Sequence, residues 1–306
     1  MPTRGFITIA TGNEKYYKLA VQLLRSYRDH CPAGVPFAII CDRENDYTQE
    51  FDDVVVMDSP NRSYMDKLML YRYSPYDETI FIDADSLVLA DPSGLWDDYA
   101  DADDVSCCGV VYPLDSVRGW FRYDGCGKYK EQVKFLLDLH GGIYYFRRTQ
   151  RCREIFETAI ELADNYSQYG FRCFDQPADE PVMALSMAIH NCRPCAKPAR
   201  LLFVPSYWGK LRVNVHGELL LNGKPRHVEI LHFATPNTEL FLYNYLVACA
   251  EDRRTPPPPY TSPRIRCIQI KLRTFPKEFK SSLRHGAGQF LRKLLPADMI
   301  RRLRGG

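Results

Sequence analysis

Four apolar runs early in the chain each stop on a polar or acidic side chain: GFITIAT (5–11), PFAIICD (36–42), DVVVMD (53–58) and TIFID (79–83). Between them lie turn formers and segments such as KYYKLAVQLLRSYRDH and YMDKLMLYRY (64–73), whose apolar residues recur at helical spacing. Buried strands alternating with helices predict an α/β domain built on a parallel sheet. Ligands of open α/β sheets bind at the carboxyl ends of the strands. Thr11, Asp42, Asp58 and Asp83 all fall at such ends. Taken singly, each can be a turn former or a helix cap, and that reading is favoured for Asp42 and Asp58. Their common placement points to a nucleotide-like ligand.

The fourth run continues as IFIDADSLVLADP, in which Asp83 and Asp85 flank Ala84 inside otherwise apolar sequence. Ionised carboxylates are costly to bury without a partner, so a cation is expected to meet them. Residues i and i+2 of a strand point the same way, and a turn at the strand end can bring both onto one hard ion. Mg²⁺ or Mn²⁺ takes oxygen ligands and is commonly shared between one or two carboxylates and substrate phosphates. The pair therefore suits a metal diphosphate. An isolated D-x-D is a weak signal; its place after a fourth strand, between IFI and LVL, makes it stronger.

Further strands are predicted at VSCCGVVYP (105–113) and GGIYYFRR (141–148). The polar, aromatic stretch between them, with RGWFRYDGCGKY, is long enough to be a functional loop. Helices are expected over about 150–165, 179–190 and 237–250. Residues 210–233 alternate and turn at His216-Gly217 and Asn222-Gly223, which predicts a β-meander. PPPP (256–259) marks a linker. The expected division is a catalytic-type domain over 1–254, a linker over 255–263 and a tail over 264–306.

That tail has a charge of its own. From Arg264 onward, twelve Lys and Arg face two acids, Glu278 and Asp298, a balance of +10. The preceding 263 residues hold 28 basic and 36 acidic side chains, so the net +2 of the whole chain conceals two opposite fields. Phe279, Leu283, Phe290, Leu291, Leu294 and Leu295 lie among the basic residues, a pattern suited to an anionic membrane surface. An acidic body without a recognisable binding module argues against nucleic acid. No run approaches the length of a membrane span and no export signal is visible, so a cytoplasmic protein, peripheral on the inner membrane face, is expected. The eleven cysteines are irregularly spaced and are expected to be reduced. HNCRPC (190–195) has a single C-x-x-C with no answering pair, so ordinary thiols are favoured over zinc.

KLMLYRYSPYDETIFIDADSLVLADPSGLWD (67–97) resembles the retaining glycosyltransferases of family 8, the glycogenin and bacterial lipopolysaccharide galactosyltransferase group. The resemblance covers roughly residues 5–250. It implies a GT-A, Rossmann-like nucleotide-sugar fold with a mixed sheet, and transfer of a hexose from a UDP-sugar with retention. It implies that IATGNEKY (9–16) holds the uridine through Thr11, Asn13 and Tyr16, and that Lys67 touches the donor. Asp83 and Asp85 match the metal ligands, with Ala84 between them at the donor, and His232 of ILHFATP (230–236) completes the shell around Mn²⁺ or Mg²⁺. HGGIYYF (140–146) would place His140 and Gly141 at the donor sugar, with His140 where the family has Asn. Asp179 matches the acid of an Asp-Gln pair that contacts the transferred sugar, with Glu180 in place of Gln; Asp175-Gln176 is the competing pair. A glycan or lipid-linked acceptor is implied.

The family's late H-F-x-G-x-x-K-P-W is represented only by His232 and Phe233; its lysine has no counterpart, although Arg62, Lys210 or the basic tail could stand in. Two rival readings follow. One is a transferase-like membrane-binding module without activity. The other is a haloacid-dehalogenase-type phosphatase, whose D-x-D also follows an apolar strand but lies near the start of its domain. By their residue types alone, Lys67 is an exposed helix lysine, His232 a core imidazole, and Asp179 a helix N-cap ahead of Pro181.

Overall fold

The computed structural model describes residues 3–31, 34–172, 177–195, 200–207, 210–213, 218–254 and 269–277. Their elements are β1 (Arg4–Ala10), α1 (Glu14–His30), β2 (Phe37–Cys41), β3 (Asp53–Val56), α2 (Leu70–Tyr73), β4 (Glu78–Ile82), β5 (Ser86–Val88), α3 (Gly94–Asp98), β6 (Val105–Tyr112), β7 (Leu136–Arg147), α4 (Gln150–Asp164) and α5 (Asp179–Ile189). There follow β8 (Leu201–Phe203), β9 (Leu211–Val213), β10 (Leu219–Leu221), β11 (Lys224–Pro225), β12 (Ile230–His232) and α6 (Phe241–Arg254). The chain divides into two compact units, one of Met1–Leu202 with Val228–His232, the other of Phe203–His227 with Phe233–Gly306.

In the first unit, six strands form one sheet in the order β3-β2-β1-β4-β7-β6. β1, β2, β3 and β4 run parallel, as their alternation with helices predicts, whereas β7 pairs antiparallel with both β4 and β6. The sheet is therefore mixed. After β2 and β3 are laid outward on one side of β1, the chain returns to place β4 on the other side. This reversal puts the carboxyl ends of β1 and β4 side by side, the position at which open α/β sheets bind their ligands.

Helices cover both faces because successive strand side chains point in opposite directions. Phe6 of β1 meets Tyr27 of α1 at 5.1 Å and Trp96 of α3 at 5.3 Å between ring centroids. Its neighbour Ile7 joins the opposite core, with Phe156 of α4 and Leu185 of α5. Each such fully buried side chain contributes about 1.5–3 kcal/mol of transfer free energy. α5 is buried almost throughout, from Pro181 to Ala188, which fits a helix apolar on all sides. Pro181 sits in its first turn, where a backbone N–H has no helical partner to lose.

Two local features shape this end of the sheet. β7 is registered against β6 as Cys107↔Tyr144 and then Cys108↔His140, so residues 141–143 form an excess on β7. A bulge of this kind bends its strand and re-aims side chains. The sequence supplies Gly141 and Gly142 there. A Cβ on Gly142 would lie 2.4 Å from His232 Nδ1, and one on Gly141 would lie 2.8 Å from Asp179 Oδ2. The second feature is the small sheet β5-β12-β8, in which His232 pairs with Ser86. The 210–233 meander is thus shorter than its sequence suggests: β9, β10 and β11 form it, and Ile230–His232 joins β5 instead.

The second unit carries that meander, whose Asn222-Gly223 turn has φ of 52° and 79°, the left-handed pair that a tight hairpin requires. Tyr245, Ala248 and Ile270 form its buried cluster. The helical segment 269–277 leaves Leu272 and Phe275 73% and 64% exposed among Lys271, Arg273 and Lys277. His216-Gly217, the 256–259 prolines, Asp175-Gln176 and the tail beyond 277 lie outside the described residues.

Candidate metal and nucleotide site

β4 ends in a turn that presents the acid pair. Asp83 N–H donates to Gly142 O at 3.0 Å and Ser86 N–H to Asp83 O at 3.0 Å, so Asp83-Ala84-Asp85 bridges β4 and β5. The short side chain of Ala84 is buried there, and its N–H donates to Asp83 Oδ1 at 3.0 Å. β12 then delivers His232 from the far end of the sequence. His232 Nε2 lies 2.9 Å from Asp85 Oδ1 and 3.7 Å from Asp83 Oδ2. One ligand atom from each of the three lies within 4.8 Å of the others, and among the described residues this is the cluster able to hold a metal ion. Burial disfavours the charged form of His232, but the hydrogen bond and charge of Asp85, then the charge of Asp83, raise its pKa above the ordinary value. Two carboxylates and an imidazole nitrogen facing one point fit a divalent cation that accepts mixed O and N ligands.

Lys67 occupies the floor of the site. Its ammonium donates to Asp83 Oδ2 at 2.7 Å and Gly141 O at 3.2 Å, and lies 3.7 Å from Asp179 Oδ2. It is buried, unlike the exposed lysine its place on a helix suggests. Burial opposes its charge, yet Asp179 and Asp83 reverse that and raise its pKa. The helix that carries it begins as a 3-10 segment, Tyr64–Met69, capped by the Ser63 hydroxyl.

Asp179 is the first residue of α5, not its cap: Ala178 holds the cap position, and no side chain bonds there. The Asp179 carboxylate instead accepts from Tyr144 OH at 3.0 Å. Burial raises its pKa to about 6, against the lowering effect of Lys67 and with help from the charges of Glu180 and Asp83. Glu180 accepts Gly141 N–H at 2.7 Å and lies 3.4 Å from His140 Nδ1. Burial would raise its pKa, but hydrogen bonds from His140 and Gly141 hold it below its ordinary range.

The loop after β1 forms the other wall. Thr11 donates its hydroxyl to Asp66 Oδ2 at 2.7 Å, and Asn13 caps α1 by accepting Lys15 N–H at 2.8 Å. Tyr16 follows in the first turn of α1, half-buried. Asp66 also accepts the backbone N–H groups of Asn61 and Arg62 at 2.6 and 2.9 Å. It ties two loops together, a role the pattern YMDKL does not disclose. Thus Thr11, Lys67, Asp83, Ala84, Asp85, His140, Gly141, Asp179 and His232 belong to one hydrogen-bonded neighbourhood or its walls. Asp58 stands apart, near Tyr73 OH at 3.4 Å. Cys192 and Cys195 hydrogen-bond to backbone oxygens of Val105 and Asp98.

No family model and no curated protein matches the sequence. Among solved structures, an active-site Gln-to-Glu mutant of LgtC matches with TM-score 0.50 and 14% identity, over 75% of this chain and 87% of that one. The bifunctional glycosyltransferase WbbM matches with TM-score 0.50 and 12% identity, over 89% of this chain and 52% of that one. LgtC is also matched as a galactosyltransferase with donor and acceptor sugar analogues, at TM-score 0.47 and 14% identity over 75% and 87% of the two chains. The architecture is accordingly a mixed α/β GT-A glycosyltransferase fold.

Proposed function

We propose that the protein is a metal-dependent glycosyltransferase of the family 8 type, moving a hexose from a UDP-sugar to a glycan or lipid-linked acceptor with retention. The observation that carries this reading is the Asp83, Asp85 and His232 cluster at the carboxyl end of β4 in a GT-A fold. Mn²⁺, or Mg²⁺, held by these three residues would act as a Lewis acid on the diphosphate as negative charge grows there. The surrounding residues do the rest. Lys67 holds Asp83 in place and offsets the clustered acids from below. Thr11, Asn13 and Tyr16 form the loop that receives the nucleoside, with Asp66 fixing Thr11. Asp179, or Asp175 beyond the described residues, orients the sugar, with the acceptor attacking from the leaving-group side. Gln176 belongs to that second possibility.

The sheet position of the acid pair supports this reading over a phosphatase, whose D-x-D lies at the start of its domain. We also assign the catalytic unit to 1–254, the linker to 255–263 and membrane attachment to 264–306. Exposed Leu272 and Phe275 beside Lys271, Arg273 and Lys277 support a site on an anionic membrane surface. Among the described residues no helix is long and apolar enough to cross a membrane.

Thermal-shift measurements with UDP-hexoses test the donor class. Mn²⁺ and the correct donor together should raise Tm by several degrees, as about 2.7 kcal/mol is gained at a ligand concentration of 100 Kd. The gain should vanish in Asp85→Ala. Donor binding indifferent to metal would sink the assignment of the pair. Absence of sugar transfer or UDP release with any donor would favour a module without activity.

A further inference from the structure

His232 is joined, on the side away from the acid pair, to a second histidine and a second carboxylate. Its Nδ1 lies 3.0 Å from His140 Nε2, and the two rings stack with centroids 4.8 Å apart and planes 27° from parallel. His140 Nδ1 in turn faces Glu180 Oε1 at 3.4 Å, and the same oxygen accepts Gly141 N–H at 2.7 Å. By the resemblance, His140 stands where the family has asparagine and, with Asp179 rather than Asp175 heading the sugar-contacting pair, Glu180 stands where it has glutamine; the two touch each other.

We propose that Glu180 and His140 are positioning residues that hold the His232 ring through its Nδ1, with Nε2 turned toward Asp83, Asp85 and a divalent cation between them. The inference rests on reading Asp83, Asp85 and His232 as a metal site. Ionised Glu180 has no proton to give, so His140 Nδ1 must donate to it. The other edge of the His140 ring, Nε2, meets His232 Nδ1, so the Glu180 carboxylate anchors the His232 ring through His140. The opposite ring nitrogen of His232, Nε2, is the one facing Asp85 and Asp83. The backbone is shaped for the stack as well: Gly142 has no side chain where a Cβ would meet His232 Nδ1 at 2.4 Å, and Gly141 none where it would meet Glu180 Cγ at 2.9 Å. Outer partners of this kind orient a ligating imidazole and raise its basicity, and their loss costs about 10–100-fold in metal affinity.

The full chain is titrated with Mn²⁺, alone and with UDP, and free Mn²⁺ is read by electron paramagnetic resonance. His140→Phe keeps a stacked ring but no nitrogen, and should weaken Mn²⁺ binding by about 10-fold or more. His140→Gln returns an amide to meet His232 Nδ1 and should recover most of that loss. Thermal unfolding of the metal-free variants separates a packing defect, which lowers Tm and leaves Kd unchanged, from loss of orientation. Unchanged affinity in His140→Phe overturns the proposal while leaving the metal site intact. A wild-type chain that binds no Mn²⁺, with or without UDP, overturns both.

Discussion

Two groups of carboxylates stand at the carboxyl ends of the same sheet and differ in what surrounds them. Beyond β1 and β2, Asp42 accepts from Tyr17 OH and lies 3.3 and 3.2 Å from the Arg43 and Arg62 guanidinium groups. Burial would push Asp42 up, but Tyr17, Gly12 N–H and the two arginines hold it below its ordinary range. Asp66 is surrounded likewise, by one hydroxyl and two backbone N–H groups. Beyond β4, by contrast, Asp83, Asp85, Asp179 and Glu180 gather around Lys67 and two imidazoles. The first group is neutralised by its own fold; the second carries a surplus of acid that a cation would relieve. A strand-end aspartate therefore marks a ligand only where the fold leaves it short of partners.

Paired substitutions test that contrast most strongly. Asp66→Ala strands one buried hydroxyl and two part-buried backbone N–H groups and should cost about 2–3 kcal/mol in chemical denaturation, with little change in Mn²⁺ affinity. Asp85→Asn should do the reverse: metal affinity falls by about 100-fold or more, while metal-free stability moves by no more than about 1 kcal/mol. Equal stability losses in the two variants would show that the acid pair is structural like Asp66, and the distinction would collapse.

A smaller effect is expected from the backbone that lets the second group assemble. Gly142→Ala forces a methyl group into His232, so its ring must turn or β7 must shift. Overpacking of this kind costs about 1–3 kcal/mol. The sharper expectation is a Mn²⁺ affinity reduced by about 10-fold through displacement of Nε2. Native affinity in this variant would mean that the stacked arrangement is not what holds the ligand.

Much of this was legible in the sequence, and the parts that were not share a cause. β4 and α5 lie within a residue of their expected limits because apolar runs and turn formers are local signals. The acid pair was legible for the same reason, as charge interrupting a strand. β7 was not: it begins at Leu136, five residues before the expected strand, because Asp138 and His140 break the apolar run. YMDKLMLYRY reads as one amphipathic helix, yet adjacent Asp66 and Lys67 are both buried by partners 55 and 16 residues away. The departure of Ile230–His232 from the meander is equally non-local, since its partner is β5. Periodicity reports which face is buried and says nothing of which distant group awaits a charge.

The mildest test concerns Asp179, which belongs to the acid-rich group but lies against Lys67 and Tyr144. Its pKa stands at about 6 in the folded chain, against 3.8 for an aspartate exposed to water. Between those values the folded state holds a proton that the unfolded state has released. Stability must then fall as pH rises from about 4 to about 6, by roughly 1.4 kcal/mol for each pH unit that separates the folded and unfolded pKa values. Asp179→Asn removes this proton while its amide oxygen still accepts from Tyr144. The variant's stability curve should therefore be flatter than that of the wild type across this window and should converge with it at lower pH, where both carry a neutral side chain. Comparing unfolding free energies of the two proteins at pH 4, 5, 6 and 7 isolates this one group from others that titrate nearby. A difference that grows in the opposite direction would mean that Lys67 dominates, and that Asp179 is neutralised internally in the manner of Asp42.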